Sequence, residues 1–456
     1  MATDSRFTRV RHAIAPSRGG LRAAQLVVAG YALAIAVGSV LLLLPAASQG
    51  DRSVVPDDAV FTAFSSVCVT GLAAVDTPTT WSTFGLTVIV VLVQLGGLGI
   101  LTVAALLILA VGRRLGDSRE AALVESPAVE RADVRRTLVG VAIFAAIVET
   151  LATAVVSVIL LADGLSVGSA VWRAFFHCAL AFNNAGFALW NGALVEAPGG
   201  VLMALVLGAT LTIGGLGPIV WADLRTRFSS GRRVSLHTRV TLWMSGALLL
   251  AGTVAVLTAE WTNAATLGGR PVGERAFDAL AYSASSRSGG FDMLVTAEMR
   301  SETLLSVDAL MFIGAGTGGT GGGIKVTTFF ILALAAWSEL RGRPTLESFG
   351  RELPVQLARQ AFVVTLLAAV AVMAGTMLIL ASGPWTLEQG LFEAISAFST
   401  TGLTTGITPE LSRGGKIVDM ALMFLGRVGP LTLAAALALR ERPRLFRYPE
   451  ERVLVG

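Results

Sequence analysis

Long apolar stretches alternate with clusters of arginine along the whole chain, and this alternation restricts the possible folds more than any other feature. The chain has 33 arginines and two lysines, and 25 of the arginines fall in five clusters. The clusters are Arg6 to Arg22, Arg113 to Arg136, Arg225 to Arg239, Arg341 to Arg359 and Arg440 to Arg452. Because short basic loops stay on the cytoplasmic side of a membrane, all five clusters are predicted to lie on one side.

The composition excludes several classes of protein. Hydrophobic residues make up 54% of the chain and charged residues 14%, whereas a soluble domain carries about a quarter charged residues. Cys68 and Cys178 are too few for a disulfide scaffold, and three histidines leave little for metal or nucleophilic catalysis. The basic residues flank apolar stretches instead of lining one face, which argues against nucleic acid as a partner. The sequence therefore indicates a polytopic membrane protein that is not an enzyme.

Each interval between arginine clusters holds two stretches long enough to cross a bilayer, which takes about 20 apolar residues. The eight predicted spans are Ala23–Ala46, Phe84–Gly112, Leu138–Ala162, Gly200–Trp221, Val240–Thr258, Leu304–Trp337, Ala361–Ala381 and Ile417–Leu439. Two crossings per interval return the chain to the same side each time. We therefore expect a multi-pass protein of the inner (plasma) membrane with both termini in the cytoplasm.

Between the two spans of every interval lies a stretch that is neither wholly apolar nor a simple loop. These stretches are Pro56–Thr80, Val167–Ala197, Arg270–Glu298 and Trp385–Arg413. Each one predicts a short half-buried helix and then a turn that ends in a small or polar residue, glycine, and Leu or Phe. The aligned glycines are Gly71, Gly186, Gly290 and Gly402, spaced 115, 104 and 112 residues apart. Four copies at matching positions indicate an internal repeat.

The chemistry of these turns points to a cation. Non-helical backbone at membrane depth is tolerated only where protein buries it or where it lines a watery cavity. Four such strands around an axis form a ring of carbonyl oxygens that replaces the water shell of a cation. The short helices direct the negative ends of their dipoles toward the same point. On the outer side, carboxylates outnumber basic residues by about two to one, which raises the local concentration of cations.

The second span of the third interval is interrupted by a glycine-rich run, 314–323, that cannot sustain a continuous helix. The run matches G-x-G-x-x-G, but a dinucleotide site needs a preceding strand, so we interpret it as a loop that blocks the pore. Arg427 lies within the last span, where an arginine is costly unless it faces a cavity or a partner. The predicted gate comprises Gly314, Gly316, Gly318, Gly319, Gly321, Gly322, Gly323, Lys325 and Arg427.

Other polar residues allow two interpretations each. Lys325 either binds carbonyls of the loop or faces the cytosol. Glu149 in the third span is expected to pair with a neighbour or with pore water, the alternative being a proton relay. His177 on the second short helix is more typical of a packing histidine than of a ligand. Gly214, Gly215 and Pro218 are expected to bend the fourth span, and Gly429 and Pro430 the last one.

Several motifs together resemble the membrane subunit of the Trk/Ktr/HKT superfamily of potassium transporters, most closely its KtrB-type members. They are Val67–Leu72, Gln94–Gly99, Asn183–Phe187, Gly314–Lys325 and Gly426–Leu431. The resemblance implies an all-α membrane protein with four membrane–pore–membrane repeats, that is, eight transmembrane helices and four re-entrant pore loops around a pseudo-fourfold pore. It implies potassium uptake as the activity, with an arginine placed against an intramembrane loop.

By this resemblance the selectivity filter consists of four strands. They are Cys68, Val69, Thr70 and Gly71; Asn183, Asn184, Ala185 and Gly186; Arg287, Ser288, Gly289 and Gly290; and Ser399, Thr400, Thr401 and Gly402. The third strand has Ser288 and Gly289 where the family commonly has threonine and alanine, which makes it more flexible. One glycine per strand, in place of the two in tetrameric potassium channels, implies fewer stacked carbonyl rings, so we expect potassium to be preferred, with sodium and rubidium partly admitted. Sodium-dependent and sodium-independent uptake are both compatible with the sequence.

The resemblance also implies partners. A homodimer with one pore in each protomer is expected, together with a separate cytosolic ring subunit, similar to KtrA, that binds ATP or ADP and gates the pore. This chain itself is expected to hold no cofactor, only the transported K⁺ or Na⁺ at the filter. The arginine-rich inner segments suit docking to that subunit or contact with anionic membrane lipids. The alternative function is an alternating-access cation transporter, although inverted repeats are usual there and these four units share one orientation.

The predicted organisation divides the chain at the arginine clusters. The segments are a cytoplasmic tail (1–22), repeat one (23–112), repeat two with its preceding cytoplasmic loop (113–224), repeat three with the loop 314–323 (225–340), repeat four (341–440) and a cytoplasmic tail (441–456).

Overall fold

The computed structural model describes residues 18–50, 54–115, 127–231 and 233–438. The expectations for the two terminal tails and for the arginines of 1–17, 116–126 and 439–456 lie outside these residues. The helices of the first half are α1 Arg18–Leu42, α2 Pro56–Val67, α3 Thr77–Thr80, α4 Thr83–Leu115, α5 Pro127–Ala162, α6 Val167–Asn183, α7 Gly200–Leu216 and α8 Pro218–Ser230. Those of the second half are α9 Leu236–Glu260, α10 Arg275–Ser285, α11 Ser301–Phe312, α12 Val326–Leu340, α13 Val355–Ser382, α14 Leu387–Phe398 and α15 Arg413–Ala438.

The same order of elements occurs four times: a long helix, a short helix, a glycine-containing loop and a second helix. The four short helices, which we call the pore helices, are α2, α6, α10 and α14, and each begins inside one of the four stretches predicted from the sequence. Local signals explain where they start. Helix α2 has Pro56 at its first turn with Asp57 and Asp58 beside it. Helix α14 begins with a capping box formed by Thr386 and Gln389.

Several helices are apolar and long enough to cross a membrane. Among the described residues, Leu138–Ala162, Leu236–Glu260 and Val355–Ser382 qualify by length and composition, and α7 with α8 forms a fourth, bent candidate. Shorter apolar helices cover Val27–Leu42, Thr83–Gly99 and Val326–Leu340. Their outward faces carry exposed leucine, valine and methionine side chains, such as Leu33 and Met377 at 66% exposure each. An apolar exterior of this kind belongs in lipid.

The breaks in the helices follow the glycine and proline pattern in part. Helices α7 and α8 meet at an angle of 92°, at Gly217 with φ of 85° and the following Pro218, close to the predicted bend. The glycine-rich run 314–323 lies between the end of α11 and the start of α12, so it is not helical, as predicted. Helix α15 continues through Gly429 and Pro430, and the bend expected there stays a prediction.

One element corrects the prediction of a wholly helical protein. Strands β1 Leu346–Ser348 and β2 Arg351–Leu353 pair as an antiparallel hairpin between α12 and α13. Phe349 and Gly350 form its two-residue turn with φ of 50° and 71°, the left-handed values that such a turn requires. The fold is therefore mostly helical.

The pore helices form the centre of the molecule. Phe61 on α2, Phe176 on α6, Tyr282 on α10 and Phe392 on α14 are fully buried. Three pore helices, α2, α6 and α14, pack against the two longer helices of their own segment, whereas α10 packs against α9 and against α7 of the second segment. The loops that follow the pore helices are thus held within protein on all sides, which is the condition for irregular backbone in an apolar protein.

Candidate functional site

The four glycine loops meet in a closed ring. A Cβ built on each glycine would collide with the backbone of the neighbouring loop. The Cβ added to Gly71 would lie 2.2 Å from Gly186 N, and the one added to Gly186 would lie 2.2 Å from the carbonyl of Gly290. The Cβ added to Gly290 would lie 1.9 Å from Thr401 O, and the one added to Gly402 would lie 2.2 Å from Thr70 O. Each loop lies against the next one in chain order, and the fourth returns to the first. Since these distances leave no room for any side chain, glycine is required at all four positions.

The backbone turns in the same way at the same place in all four loops. The residue two positions before each ring glycine has a left-handed conformation: Val69 at φ 59°, Asn184 at 63°, Ser288 at 74° and Thr400 at 46°. In the described chain, Phe349 is the one other non-glycine residue with positive φ. Such a conformation is uncommon, and unfavourable for β-branched residues such as valine and threonine. Strain at four equivalent positions marks a site where the surrounding structure dictates the backbone.

Backbone hydrogen bonds explain how three of the turns form. In the first, second and fourth loops the left-handed residue donates to the carbonyl three residues earlier, and the next amide donates to the carbonyl five residues earlier. The bonds are Val69 to Ser66 and Thr70 to Ser65; Asn184 to Ala181 and Ala185 to Leu180; and Thr400 to Ala397 and Thr401 to Ser396, at 2.7–3.2 Å. This pattern is the Schellman ending of a helix. It caps the pore helix and redirects the chain toward the ring.

The third loop is built differently. Both Gly289 and Gly290 donate to the single carbonyl of Ser285, at 2.6 and 3.1 Å. This loop is the one in which the sequence departs from the family's common threonine and alanine. The side chain of Arg287 leaves the ring, since its guanidinium donates to Ser245 O at 2.9 Å and lies 3.5 Å from Gly314 O. Arg287 thus contributes backbone to the loop while its charge points away.

Two serines that the sequence analysis missed support the ring. Ser65 Oγ accepts a hydrogen bond from the amide of Gly71 at 3.0 Å, and Ser396 Oγ accepts one from the amide of Gly402 at 3.1 Å. Both serines lie six residues before their glycine. The shared spacing in the first and fourth copies was a signal that could have identified them.

Further hydroxyl groups surround the ring. Those of Thr70, Ser399, Thr400 and Thr401 are buried and have no hydrogen-bond partner among the described residues. The side chain of Asn183 is turned outward, donating to Ala179 O at 2.8 Å. Buried hydroxyl oxygens without a partner are ligands that suit a hard cation.

The loop between α11 and α12 packs directly against the ring. A Cβ on Gly322 would lie 2.3 Å from Thr400 Oγ1, and one on Gly321 would lie 2.8 Å from the Ser288 Cβ. The other predicted gate glycines are similarly confined by backbone, at 2.0 Å for Gly314, 2.9 Å for Gly316 and Gly323, and 2.1 Å for Gly319, while Gly318 has φ of 78°. The run is glycine-rich because it is closely packed.

Thr320 anchors the middle of this loop to the second segment. Its Oγ1 lies 2.6 Å from Asn184 Oδ1 and 3.0 Å from Phe182 O. Its amide donates to Gly214 O at 3.3 Å, and the amide of Gly316 donates to Gly215 O at 2.9 Å. The loop thus contacts the turn residue of the second ring strand through a side chain.

Arg427 closes the same contact from the opposite side. The side chain is 2% exposed, and its Nη1 donates to Thr320 O. Nη2 donates to Gly96 O at 3.2 Å, and this carbonyl also accepts from the Tyr31 hydroxyl at 2.8 Å. Arg427 therefore faces the loop and not the interface. For Lys325 the structure selects the first interpretation, because its Nζ donates to Gly321 O at 2.5 Å.

Glu149 pairs with neighbours. Its carboxylate accepts from Gln94 Nε2 at 2.7 Å, and it lies 3.4 Å from Asn183 Nδ2. It thereby links α4 with the end of α6. Cys68 and Cys178 are buried and free, which agrees with a packing role.

Buried titratable groups also lie next to the second and third ring strands in the sequence. His177 is a packing residue, as predicted: Nδ1 bonds to Arg173 O at 2.7 Å, and Nε2 accepts from the amide of Leu189 at 3.1 Å. Burial lowers the pKa of His177 to about 4, so the imidazole of His177 is neutral. Asp292 follows the third ring strand, and burial raises its pKa to about 7 against the opposing hydrogen bonds from Thr296.

Comparisons with known proteins agree with this architecture. The model of the family described as "TrkH: Cation transport protein" matches residues 22–448. The chain is 35% identical to the Ktr system potassium uptake protein B of Bacillus subtilis, over 95% of this chain and 96% of the relative. It is 32% identical to the potassium/sodium uptake protein NtpJ of Enterococcus hirae, over 98% and 99%. The crystal structure of the potassium transporter TrkH from Vibrio parahaemolyticus superposes with a TM-score of 0.72 at 18% identity, covering 96% of this chain and 87% of that one. This last likeness concerns the fold.

Proposed function

Because the chain belongs to the TrkH family of cation transport proteins, we propose that it is a channel-like subunit for potassium uptake. Relatives of similar length are a potassium uptake protein and a potassium/sodium uptake protein. In this proposal eight helices cross the inner membrane, both termini are cytoplasmic, and the four pore helices are re-entrant. Flux is driven by the membrane potential, worth about 2.3 kcal/mol per charge per 100 mV.

The selectivity filter is formed by the four strands that end in the ring glycines. The observation that carries the proposal is the closed contact of Gly71, Gly186, Gly290 and Gly402 in chain order. Backbone carbonyls held in this way can replace the hydration shell of a dehydrated cation. The third strand, with both amides on Ser285 O, differs from the other three, which supports a filter that prefers potassium and admits some sodium and rubidium.

The loop 314–323 is the gate, and Arg427 is its latch. The contacts that support this role are those of Gly321 and Gly322 with the ring and of Arg427 with Thr320 O. A buried guanidinium next to the conduction path repels cations. Opening requires the loop to move aside and Arg427 to lose its bonds to Thr320 and Gly96.

The assembly follows the relatives. The name "Ktr system potassium uptake protein B" of one relative implies a companion subunit, and we infer a homodimer bound to a cytosolic ring subunit that carries ATP or ADP. The arginine-rich inner segments are the docking surfaces. This chain itself needs no cofactor beyond the transported ion.

The test is rescue of a potassium-uptake-deficient bacterium on low-potassium medium, with and without sodium. The wild-type chain should restore growth together with the companion subunit. Gly290→Ser should abolish rescue, because its Cβ would lie 1.9 Å from Thr401 O and the residue has φ of 71°.

Gly273→Ser is the matched control, since a Cβ there meets nothing within 4 Å. It lies just before the same pore helix and should rescue like the wild type. Rescue by Gly290→Ser at wild-type level would contradict the filter assignment. Wild-type growth that needs a proton gradient but no membrane potential would favour an alternating-access transporter.

A further inference from the structure

Behind the fourth ring strand lie two acidic residues that the proposed filter and gate do not use. Glu393 on α14 and Asp419 on α15 are both fully buried, and their carboxyl groups lie within hydrogen-bonding reach of each other. In the described part of the chain, neither carboxyl forms an ion pair. Lys416, three residues before Asp419, is instead bonded to Asp58 at 2.6 Å.

Glu393 tethers the segment that follows the filter. Its carboxyl group accepts from Thr404 Oγ1 at 2.7 Å and from Thr408 Oγ1. Thr404 lies two residues after Gly402, so the tether acts directly on the outer end of the fourth strand. His177 occupies the same position in the second pore helix, nine residues before its ring glycine, and it too binds the segment beyond the filter, through Leu189. The position is therefore a support point in both segments.

The contact between the Asp419 and Glu393 carboxyl groups requires that the pair binds a proton or a cation. Neither of its oxygens has a donor partner among the described residues. Two carboxyl groups can form a hydrogen bond only if one carries a proton, since both are acceptors when ionised. Two ionised carboxylates in contact inside protein would also repel each other strongly. Oxygen ligands for a metal are few here, because Thr404 and Thr408 direct their hydroxyl protons at Glu393.

Resting on the proposed function, we propose that Glu393 and Asp419 share one proton, and that this proton makes Glu393 the positioning residue of the fourth filter strand. With the proton present, Glu393 holds both threonines. When the proton is lost to the outer solution at alkaline pH, the carboxylates repel each other, the tether to Thr404 and Thr408 weakens, and the strand loses its geometry. Cation flux should therefore fall as the outer pH rises.

Other charged groups stand on the elements packed against the pair. They are Arg18 and Arg22 on α1, Asp57 and Asp58 on α2, Glu302 and Asp308 on α11, Arg359 on α13, Glu388 on α14, and Arg413, Lys416 and Arg427 on α15. Lys416 and Asp58 form a pair of their own, as do Arg413 and Asp57. Among these residues Asp308 on α11 is a buried acid, at 6% exposure. It is therefore a suitable control for Glu393 and Asp419.

The experiment measures rubidium influx into vesicles that contain the purified full chain, at outer pH between about 5.5 and about 9. Wild-type influx should fall at least about threefold over the alkaline part of this range. Asp419→Asn donates permanently through its amide, so influx should stay level there. Glu393→Gln should also stay level, with a lower rubidium-to-sodium preference because one amide oxygen replaces two carboxylate oxygens. Asp308→Asn should keep the wild-type profile.

Infrared difference spectra provide a readout that does not depend on transport. A protonated carboxyl group absorbs apart from carboxylates, so the wild type should show one such band, additional to that of Asp292, that both Asp419→Asn and Glu393→Gln lose. Retention of the band, or a wild-type pH profile in both variants, would overturn the inference. An alkaline fall that shifts with outer sodium at fixed pH would also overturn it, because the occupant would then be a metal ion. Absence of rubidium flux at every pH, with the band intact, would count against the proposed function alone.

Discussion

The ring of loops and the loop beneath it are both rich in glycine, but different forces hold them. Each ring strand is fixed mainly by hydrogen bonds to its own pore helix, such as Thr70 N to Ser65 O at 2.7 Å. The loop 314–323 is fixed mainly by groups from other segments, among them Gly215 O and the Arg427 guanidinium. A locally supported strand keeps its shape when distant elements move. A loop held by distant elements is released when one of them moves, which suits a filter and a gate respectively.

The largest effect expected from this comparison is at Gly186. Its φ is not in the positive range, so an alanine there would test the close approach alone, with a Cβ 2.2 Å from the Gly290 carbonyl carbon. Relief of that overlap costs about 3 kcal/mol, or about a hundredfold. We expect Gly186→Ala to lower potassium uptake by about that factor.

Gly168→Ala on the same pore helix is the control, because a Cβ there meets nothing within 4 Å. Its uptake should match the wild type. If Gly186→Ala transports as well as Gly168→Ala, the ring contact is not part of the conduction path, and the distinction between ring and loop disappears.

An intermediate effect of opposite sign is expected at Arg427. Arg427→Ala removes charge-assisted bonds to Thr320 O and Gly96 O, each worth about 2 kcal/mol. In the proposed gate the bond to Thr320 O holds the loop closed, so losing it should raise basal flux without the companion subunit roughly thirtyfold. Flux into reconstituted vesicles measures it.

Arg413→Ala, on the same helix, removes an arginine whose side chain is 78% exposed and pairs with Asp57 at the surface. A surface pair of this kind contributes little, so basal flux should not change. Unchanged or lower flux in Arg427→Ala would contradict the proposal that Arg427 holds the loop 314–323 closed. It would indicate that the loop, like the ring, keeps its position without contacts from other segments.

The sequence predicted the backbone of both regions better than their side-chain supports. Glycine spacing and helix periodicity are local signals, so the pore helices, the four ring glycines and the break at 314–323 were all recognisable. The contact of Thr320 with Asn184 could not be predicted from the sequence, because the two residues lie far apart along the chain. The contact exists only after the second and third segments pack together. The same holds for Tyr31 and Gly96, which join the first segment to Arg427. The β-hairpin was not predicted from the sequence, because phenylalanine is an unusual residue at a left-handed turn position such as that of Phe349.

The smallest predicted effect is at Ser65, whose hydroxyl oxygen accepts from the amide of Gly71 at 3.0 Å. Ser65→Ala leaves that buried amide without its side-chain acceptor, a loss of about 1 kcal/mol. The Schellman bonds of the same turn remain, so the strand should stay in place but fluctuate more. We expect uptake to persist and the potassium-to-sodium preference to fall about threefold, measured as the ratio of initial influx rates.

Ser66 is the matched control for this experiment. It is the next residue of the same helix and equally buried, but its hydroxyl donates to Thr62 O at 2.7 Å within the helix and does not contact the ring. Ser66→Ala should therefore leave the ion preference unchanged. An equal loss in both variants would mean that the stability of the pore helix, and not the bond to Gly71, sets the preference. A loss in Ser65→Ala alone, repeated in Ser396→Ala through Gly402, would mean that the first and fourth strands depend on a serine hydroxyl that accepts from the amide of the ring glycine.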